Sequence, residues 1–341
     1  MLPEDLSNNL CSLKENSPKK AVVVKMRLDH RGHKIKHEFI RGIITVEKNF
    51  SYKDFEGFLS DCKTKKKYIV YKKALNILKQ SPHLKNRLNL NIAEKKISLS
   101  SEGYPTNVFE KNSLRSNELI EMTMILSNLC VSQTLSQSIT KYLSRYHEKP
   151  DKHALKDLNI FTRLNDLATI RGKQVTSNSF NELLKQCKYP EKKELLSNFI
   201  LRILPKAKYS DVEAGHFGLN LPLYCHFTSP IRRYADLTVH RSLAFALKWE
   251  MDDFDCVEYY KAICKIINES EKKSAGAERE SLDRYSALFM SNRIDDYFDG
   301  VVLGSSRYCI FIKLKKFPIE GVLLKKYLDF KKRKKRSSFN Y

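Results

Sequence analysis

Hydrophobic and polar positions follow a strand-like pattern at the start of the chain. Residues 21–44 contain two apolar runs separated by a polar break with Gly32, which predicts two strands joined by a turn. A weaker alternation over residues 86–100 predicts a second hairpin. Both segments indicate a β component in the first third of the chain.

Helical spacing of apolar residues dominates the middle of the chain. Short helices are predicted at 51–62 and 68–78, and two or three further helices are expected between residues 154 and 204. Between residues 116 and 143 the apolar positions recur at helical intervals, which predicts a long and largely buried helix. Another long helix is predicted over residues 257–290.

After Asp299 and Gly300 the pattern changes to short apolar runs typical of a small barrel-like module. About three strands fit before a run of basic residues, and a five-stranded barrel cannot close on three strands. The predicted fold class is α+β. The chain is divided into a main domain over 1–294, an incomplete barrel over 295–330 and a basic tail over 331–341.

Net charge narrows the choice of partner. The 341 residues include 62 Lys and Arg against 39 Asp and Glu, a net charge of +23. This excess favours nucleic acid, although an anionic membrane surface or simple solubility would produce a similar number. No apolar stretch approaches the roughly 20 residues that span a bilayer, and the first residues form no signal peptide. We therefore expect a cytoplasmic protein without a membrane partner.

The eight cysteines provide no sign of a metal centre. None forms a CxxC pair or a Cys/His set at zinc spacing. Reduced thiols packed as small apolar groups are expected, and neither a disulfide framework nor a zinc site is predicted.

The candidate chemistry lies in residues 216–241. Ser229 can cap a helix whose first position is Pro230, which would place Arg232 and Arg233 in its opening turn. Two cations there oppose the helix dipole unless an anion lies in front of them. A phosphate fits this role because backbone amides and guanidinium groups can converge on it.

Spacing also suggests how this arginine pair is held. Asp236 lies four residues after Arg232, and His240 lies four after Asp236, so the three would share one helix face. We expect Asp236 to hold Arg232 in a fixed pose. The residues alone leave open an ordinary helix start whose arginines pair with surface acids.

The same segment resembles the signature of the ribonuclease II and ribonuclease R family: it reads His216-Phe-Gly-Leu and then Tyr224-Cys-His-Phe-Thr-Ser-Pro-Ile-Arg-Arg-Tyr-Ala-Asp-Leu-Thr-Val-His-Arg. Residues 1–13, 117–128 and 145–150 are similar to further phrases of that family, and the resemblance covers residues 1–330. It implies an RNB-type catalytic domain, with a mixed sheet and long helices around an RNA channel, followed by an incomplete OB-fold.

The resemblance implies 3′→5′ hydrolysis of single-stranded RNA to nucleoside 5′-monophosphates with Mg²⁺ or Mn²⁺. It assigns catalytic roles to Arg232, which would stabilise charge on the phosphate, and to Glu278 near the reaction centre. Asp236 and His240 are supporting residues. The residues implied to bind RNA are Tyr52, Glu121, Asn128, His226, Ser229, Arg233 and Tyr234.

Several of these residues also have ordinary interpretations. Glu278 could be a glutamate on a lysine-rich helix face, and Tyr52 a half-buried helix residue. Glu121 and Asn128 lie seven positions apart on the long predicted helix, where either could simply be solvated.

Two departures from the family pattern stand out. The family's closely spaced metal-binding aspartates are missing; Asp252, Asp253 and Asp255 are the nearest imitation, and their position favours a solvated capping run. Leu90 replaces an aromatic stacking platform, which could weaken base stacking by about 1–3 kcal/mol.

We therefore expect a part of an exoribonuclease with impaired or no activity alone, for which a complementing N-terminal polypeptide would be a partner besides RNA. The alternative is a non-catalytic RNA-binding protein or the product of a degraded gene, since the basic charge and the arginine pair would survive the loss of metal ligands.

Overall fold

The computed structural model describes residues 3–60, 66–90, 92–138, 140–170, 175–250 and 257–328. These residues form helices and small antiparallel sheets, which confirms the α+β prediction. The helices are α1 Tyr52–Ser60, α2 Lys66–Gln80, α3 Pro82–Lys85, α4 Arg115–Ser136, α5 Lys152–Leu164, α6 Ser177–Lys185, α7 Pro190–Ile203, α8 Tyr234–Ala246 and α9 Val257–Ser291. Short π- and 3₁₀-helical turns are Asp5–Leu10, Phe217–Leu219 and Lys325–Tyr327.

The strands pair almost entirely with their neighbours in the chain. They are β1 Pro18–Leu28, β2 Lys34–Thr45, β3 Glu94–Leu99, β4 Pro105–Lys111, β5 Ser144–Tyr146, β6 Lys208–Ser210, β7 Gly300–Ser305, β8 Cys309–Leu314 and β9 Glu320–Leu324. β1 pairs with β2, β3 with β4, β5 with β6, and β7, β8 and β9 form a three-stranded sheet in that order. The pairing of β5 with β6 joins segments far apart in sequence.

The first hairpin, β1–β2, was predicted from its apolar runs and is confirmed. Val24 lies opposite Phe39, and both pack against the main core together with Val22. The turn contains Gly32 at φ +78°, a conformation that favours glycine.

The second predicted hairpin was wrong in its first half. β3 pairs with β4 over Glu94–Leu99 and Pro105–Lys111, whereas residues 86–90 form no strand. Leu88 and Leu90 pack instead against the cluster built by α5, α6 and α7. Period-2 spacing over so few residues cannot distinguish a strand from a loop whose apolar side chains face a helical core.

The long helix α4 crosses the centre of the molecule. Met122, Leu126, Leu129 and Leu135 are fully or almost fully buried along it. It ends at Ser136, so the prediction that it extends to residue 143 was wrong. Tyr142 and Leu143 lie in the extended segment before β5, and their side chains are buried together with Leu135 of α4. Their apolar character made them resemble positions of the helix.

The C-terminal part consists of α9 and the three-stranded sheet. The prediction of a long helix is confirmed by the 35 residues of α9, and the expected boundary at residue 295 falls between α9 and β7. Lys313 of β8 forms ion pairs with Glu110 of β4 and Glu194 of α7, which join the sheet to the main domain.

Residues 252–255 and 331–341 lie outside the described part of the chain. In the part that is described, none of the helices has the length and apolar character needed to cross a membrane.

Candidate functional site

The loop of residues 226–233 leads into α8, and its geometry corrects the predicted helix start. α8 begins at Tyr234, with Arg233 in extended conformation at the N-cap, rather than at Ser229 and Pro230. The carbonyl oxygen of Ser229 accepts hydrogen bonds from the backbone N–H groups of Arg232 and Arg233, at 3.3 and 3.1 Å. Pro230 to Arg232 thus form a turn, and the arginine pair lies on a loop immediately before the helix.

Asp236 holds Arg233, not Arg232 as predicted. One carboxylate oxygen is 2.7 Å from a terminal guanidinium nitrogen of Arg233, and the other is 2.8 Å from Nε. The first oxygen also accepts the Ser229 backbone N–H at 2.7 Å. Because α8 starts four residues later than predicted, Asp236 lies in its first turn and faces the loop. The side chain of Asp236 is fully buried, whereas that of Arg233 is 29% exposed.

Arg232 is exposed, and no other described residue forms a hydrogen bond or ion pair with its side chain. Since Asp236 neutralises Arg233, the guanidinium of Arg232 is the cation of this loop that is left for a ligand. It lies next to the N-terminus of α8, where the helix dipole adds positive potential.

His226 is partly buried beside the arginine pair. Its Nδ1 lies 2.9 Å from the hydroxyl of Tyr209, and the two rings meet edge to face. Burial and then the nearby cations of Arg233, Arg145 and Arg232 lower the pKa of His226 to about 2. The imidazole is therefore neutral at physiological pH.

Asn128 braces the same loop from α4. Its Nδ2 donates to the hydroxyl of Tyr224 at 2.9 Å, and its Oδ1 accepts the backbone N–H of Phe227 at 2.9 Å. The side chain is buried, at 2% exposure, so in this structure Asn128 positions the loop from inside the protein.

Two residues of α8 complete the surroundings of the loop. His240 donates from Nε2 to the carbonyl oxygen of Phe227 at 2.9 Å, and the two rings stack with centroids 4.0 Å apart. Its supporting role stays a prediction. Burial lowers the pKa of His240. Tyr234 is 47% exposed, and its hydroxyl lies 3.3 Å from that of Tyr259.

This loop belongs to the region matched by a protein-family model, that of the RNB domain, which covers residues 1–248. The chain belongs to the RNB domain family. Ribonuclease R of Buchnera aphidicola subsp. Schizaphis graminum is 29% identical over 338 residues, which cover 95% of this chain and 46% of that protein. Ribonuclease R of Aquifex aeolicus is 28% identical over 332 residues, with 95% and 47% covered.

Solved structures show the same similarity. RNase R of Mycoplasma genitalium in complex with ribose methylated single-stranded RNA superimposes with a TM-score of 0.89 at 25% identity, covering 96% of this chain and 53% of that chain. Yeast Ssd1, a pseudonuclease, shares the fold with a TM-score of 0.74 at 19% identity over 95% of this chain and 41% of its own. The RNB chain thus spans about half the length of the relatives that it matches.

The other predicted site residues of the RNB chain are spread over separate elements. Tyr52 is the first residue of α1 and is 45% exposed. Glu121 is exposed on α4 with Oε1 3.8 Å from Nε of Arg87, and Glu278 is exposed in the middle of α9. Among the described residues, no hydrogen bond or ion pair joins these three to the loop. Their roles in catalysis or RNA binding stay predictions.

Sequence reasoning missed the residues that support His226. Arg145 lies over the ring of Tyr209 at 4.5 Å and binds Glu271 of α9 through two hydrogen bonds of 2.7 and 2.8 Å. Asn268 binds the backbone of Tyr209. Arg145 was within a phrase that resembled the family, but nothing in its spacing indicated a contact with α9.

Nucleases of the RNB family generally depend on divalent metal ions. Within the described ranges no group of three or more His, Cys, Asp or Glu side chains could hold a metal ion. The described residues therefore do not fit a metal centre.

Proposed function

We propose that this chain acts in a 3′→5′ exoribonuclease of the ribonuclease R type, which hydrolyses single-stranded RNA to nucleoside 5′-monophosphates. Arg232 would bind the phosphate of the RNA backbone. The observation that carries the proposal is a difference between two adjacent arginines. Arg233 is neutralised by the buried Asp236, whereas Arg232 is exposed with no partner among the described residues.

This arrangement suits a phosphate because the positive charge is held in place before the ligand arrives. The turn before α8 is fixed by Asp236 at Ser229 and by Asn128 at Phe227. Arg232 can then present several N–H donors to phosphate oxygens without the entropy loss of ordering the loop.

Charge and family membership support RNA as the ligand. The net charge of +23 favours a polyanion, and binding through phosphates would weaken steeply with salt. Tyr234 is exposed one position after the arginine pair, where its ring could stack on a base. The reaction would use Mg²⁺ or Mn²⁺, whose ligands are not found among the described residues.

Non-catalytic RNA binding is the second candidate function. It is favoured by one observation, that the described residues contain no cluster of metal-binding side chains. The phosphate site at Arg232 needs no metal, so it would still retain RNA.

An assay with 5′-labelled single-stranded RNA tests both functions. RNA binding and RNA shortening would be measured with and without Mg²⁺ for the wild type and Arg232→Ala. The control is Arg202→Ala, which removes an exposed arginine that belongs to α7. RNA shortening by the wild type and Arg202→Ala, but not by Arg232→Ala, supports the exoribonuclease. Binding without shortening supports the second function, and wild-type protein that does not bind RNA contradicts both.

A further inference from the structure

Tyr209 is a buried residue of β6 whose hydroxyl reaches the site loop. It is 5% exposed, and its hydroxyl oxygen lies 2.9 Å from Nδ1 of His226. The family resemblance assigned it no role.

The surroundings decide which of the two groups donates this hydrogen bond. Among the described residues the Tyr209 hydroxyl has no other hydrogen-bond partner. If Nδ1 of His226 carried the hydrogen, the buried hydroxyl would have nowhere to donate, at a desolvation cost. Arg145 lies over the Tyr209 ring at 4.5 Å, and its positive charge makes the phenol a better donor. Tyr209 therefore donates, and the imidazole hydrogen is on Nε2.

Tyr209 is held from two sides, so the direction of its hydroxyl is fixed. Asn268 accepts the backbone N–H of Tyr209 at 2.8 Å and donates to its carbonyl oxygen at 2.9 Å. Arg145, stacked on the ring, is itself fixed by Glu271 through two hydrogen bonds. Both Asn268 and Glu271 belong to α9, which thereby supports the loop before α8.

The other ring nitrogen of His226 is available to a ligand. Nε2 has no hydrogen-bond partner among the described residues. The side-chain polar atoms of those residues that are both unpaired and shielded from solvent are Ser81 Oγ and the Tyr142 hydroxyl, so Nε2 is not shielded in this way. Burial of the ring, followed by the nearby cations of Arg233, Arg145 and Arg232, lowers the pKa of His226, so the imidazole is neutral.

We propose that Tyr209 is a positioning residue that fixes His226 as the Nε2–H tautomer, so that His226 donates a neutral hydrogen bond to a phosphate oxygen of RNA bound at Arg232. This inference rests on the proposed function for its ligand. A phosphate oxygen accepts hydrogen bonds but cannot donate them, so a lone pair on Nε2 would repel it. The fixed tautomer removes that unfavourable state before RNA binds.

The tautomer can be measured without RNA. In ¹⁵N-histidine-labelled protein at neutral pH, the ¹⁵N–¹H correlation pattern of the His226 ring should show hydrogen on Nε2 in the wild type. Tyr209→Phe should give a mixture of tautomers, with thermal unfolding used to show that this variant is folded. Hydrogen on Nδ1 in the wild type, or the same single tautomer in Tyr209→Phe, would overturn the inference.

Affinity for a labelled single-stranded oligoadenylate tests the donated hydrogen bond. The amide of Gln can place an N–H near the position of Nε2, whereas that of Asn lies near Nδ1. We expect His226→Asn to bind about tenfold or more weakly and His226→Gln to retain most of the affinity, because a hydrogen bond to a charged group is lost only in the first.

Equal affinities of His226→Asn and the wild type would refute the role of His226 and leave the RNA-binding proposal intact. A wild type that binds no oligoadenylate would instead refute the proposed function, together with the phosphate contact, whatever tautomer is observed.

Discussion

The carboxylate of Asp236 binds the guanidinium of Arg233, three residues before it in the chain, through two hydrogen bonds of 2.7 and 2.8 Å. The same carboxylate fixes the backbone of Ser229. Arg232, four residues before Asp236, is left exposed. This relationship separates a structural arginine from one that can bind a ligand, and the first two predictions follow from it.

Replacing Asp236 with Asn should destabilise the protein. The substitution removes the negative partner of a largely buried cation, and breaking such a pair costs roughly 3 kcal/mol. The free energy of unfolding from urea titration measures the loss. Glu38→Gln, which breaks the exposed pair of Lys25 and Glu38, is the control and should change little. A similar small change in both variants would show that the pair in the loop is not important for stability.

The two adjacent arginines should differ in what they affect. Arg232→Ala should reduce RNA affinity at least tenfold with no measurable change in unfolding free energy, because its side chain has no partner to lose among the described residues. Arg233→Ala should lower the stability, because it leaves the buried Asp236 carboxylate unpaired. RNA binding by filter retention and urea unfolding would be measured for both. The assignment would be refuted if Arg232→Ala lost stability while Arg233→Ala did not.

Asn128→Ala should destabilise the protein by roughly 1–3 kcal/mol, because the Tyr224 hydroxyl and the Phe227 N–H lose their buried partner. Tyr224→Phe removes one of these contacts and should cost about 1 kcal/mol. A double-mutant cycle by thermal unfolding should then show coupling between the two substitutions. Asn178→Ala in α6 is the control, because the half-buried side chain of Asn178 donates only a surface hydrogen bond to Glu182 at 2.9 Å, and the expected change is below about 0.5 kcal/mol. Additive losses for Asn128 and Tyr224 would contradict the contact.

Stability should fall between pH 6.5 and 5 because two partly buried histidines stay neutral in the folded chain. Burial is the largest cause that lowers the pKa of His226 to about 2 and that of His216 to about 3. Below pH 6.5 the unfolded chain binds protons that the folded chain does not, so each histidine favours unfolding by roughly 2 kcal/mol at pH 5. Urea unfolding at both pH values measures the change, and His226→Gln should reduce it by the share of one histidine. A flat profile would contradict the burial of these rings.

Gly32→Ala should destabilise far more than Gly103→Ala. Both glycines have positive φ, +78° and +83°, so both variants share the strain of this conformation, about 1 kcal/mol. An added Cβ at Gly32 would also lie 2.5 Å from the carbonyl oxygen of Ile77 and 2.7 Å from the backbone nitrogen of Ser81, whereas at Gly103 nothing lies within 4 Å. The difference between the two unfolding free energies measures the contact of the hairpin turn with α2. Equal losses would show that the turn can move away.

Local patterns were sufficient for most of the fold because they act over short distances in the chain. Apolar spacing predicted the first hairpin, the helices between residues 152 and 203, and the 35-residue α9. It failed at residues 86–90 and beyond Ser136, where apolar side chains are buried without regular structure. In both places apolar side chains enter the core from backbone that is neither helix nor strand. Their spacing in the sequence therefore does not reveal the backbone conformation.

Fixed spacing and residue type along the chain were enough to indicate the family, the α+β class and an arginine pair beside a helix start. Which arginine is paired depends instead on contacts in three dimensions, since Asp236 is buried and binds the arginine that the later start of α8 places in front of it. The contacts of Asn128 with Phe227 and of Tyr209 with His226 likewise join separate elements that no local pattern connects. Hydrogen bonds that join buried polar groups of separate elements therefore determine the geometry of the site. The local sequence pattern indicates only which loop carries it.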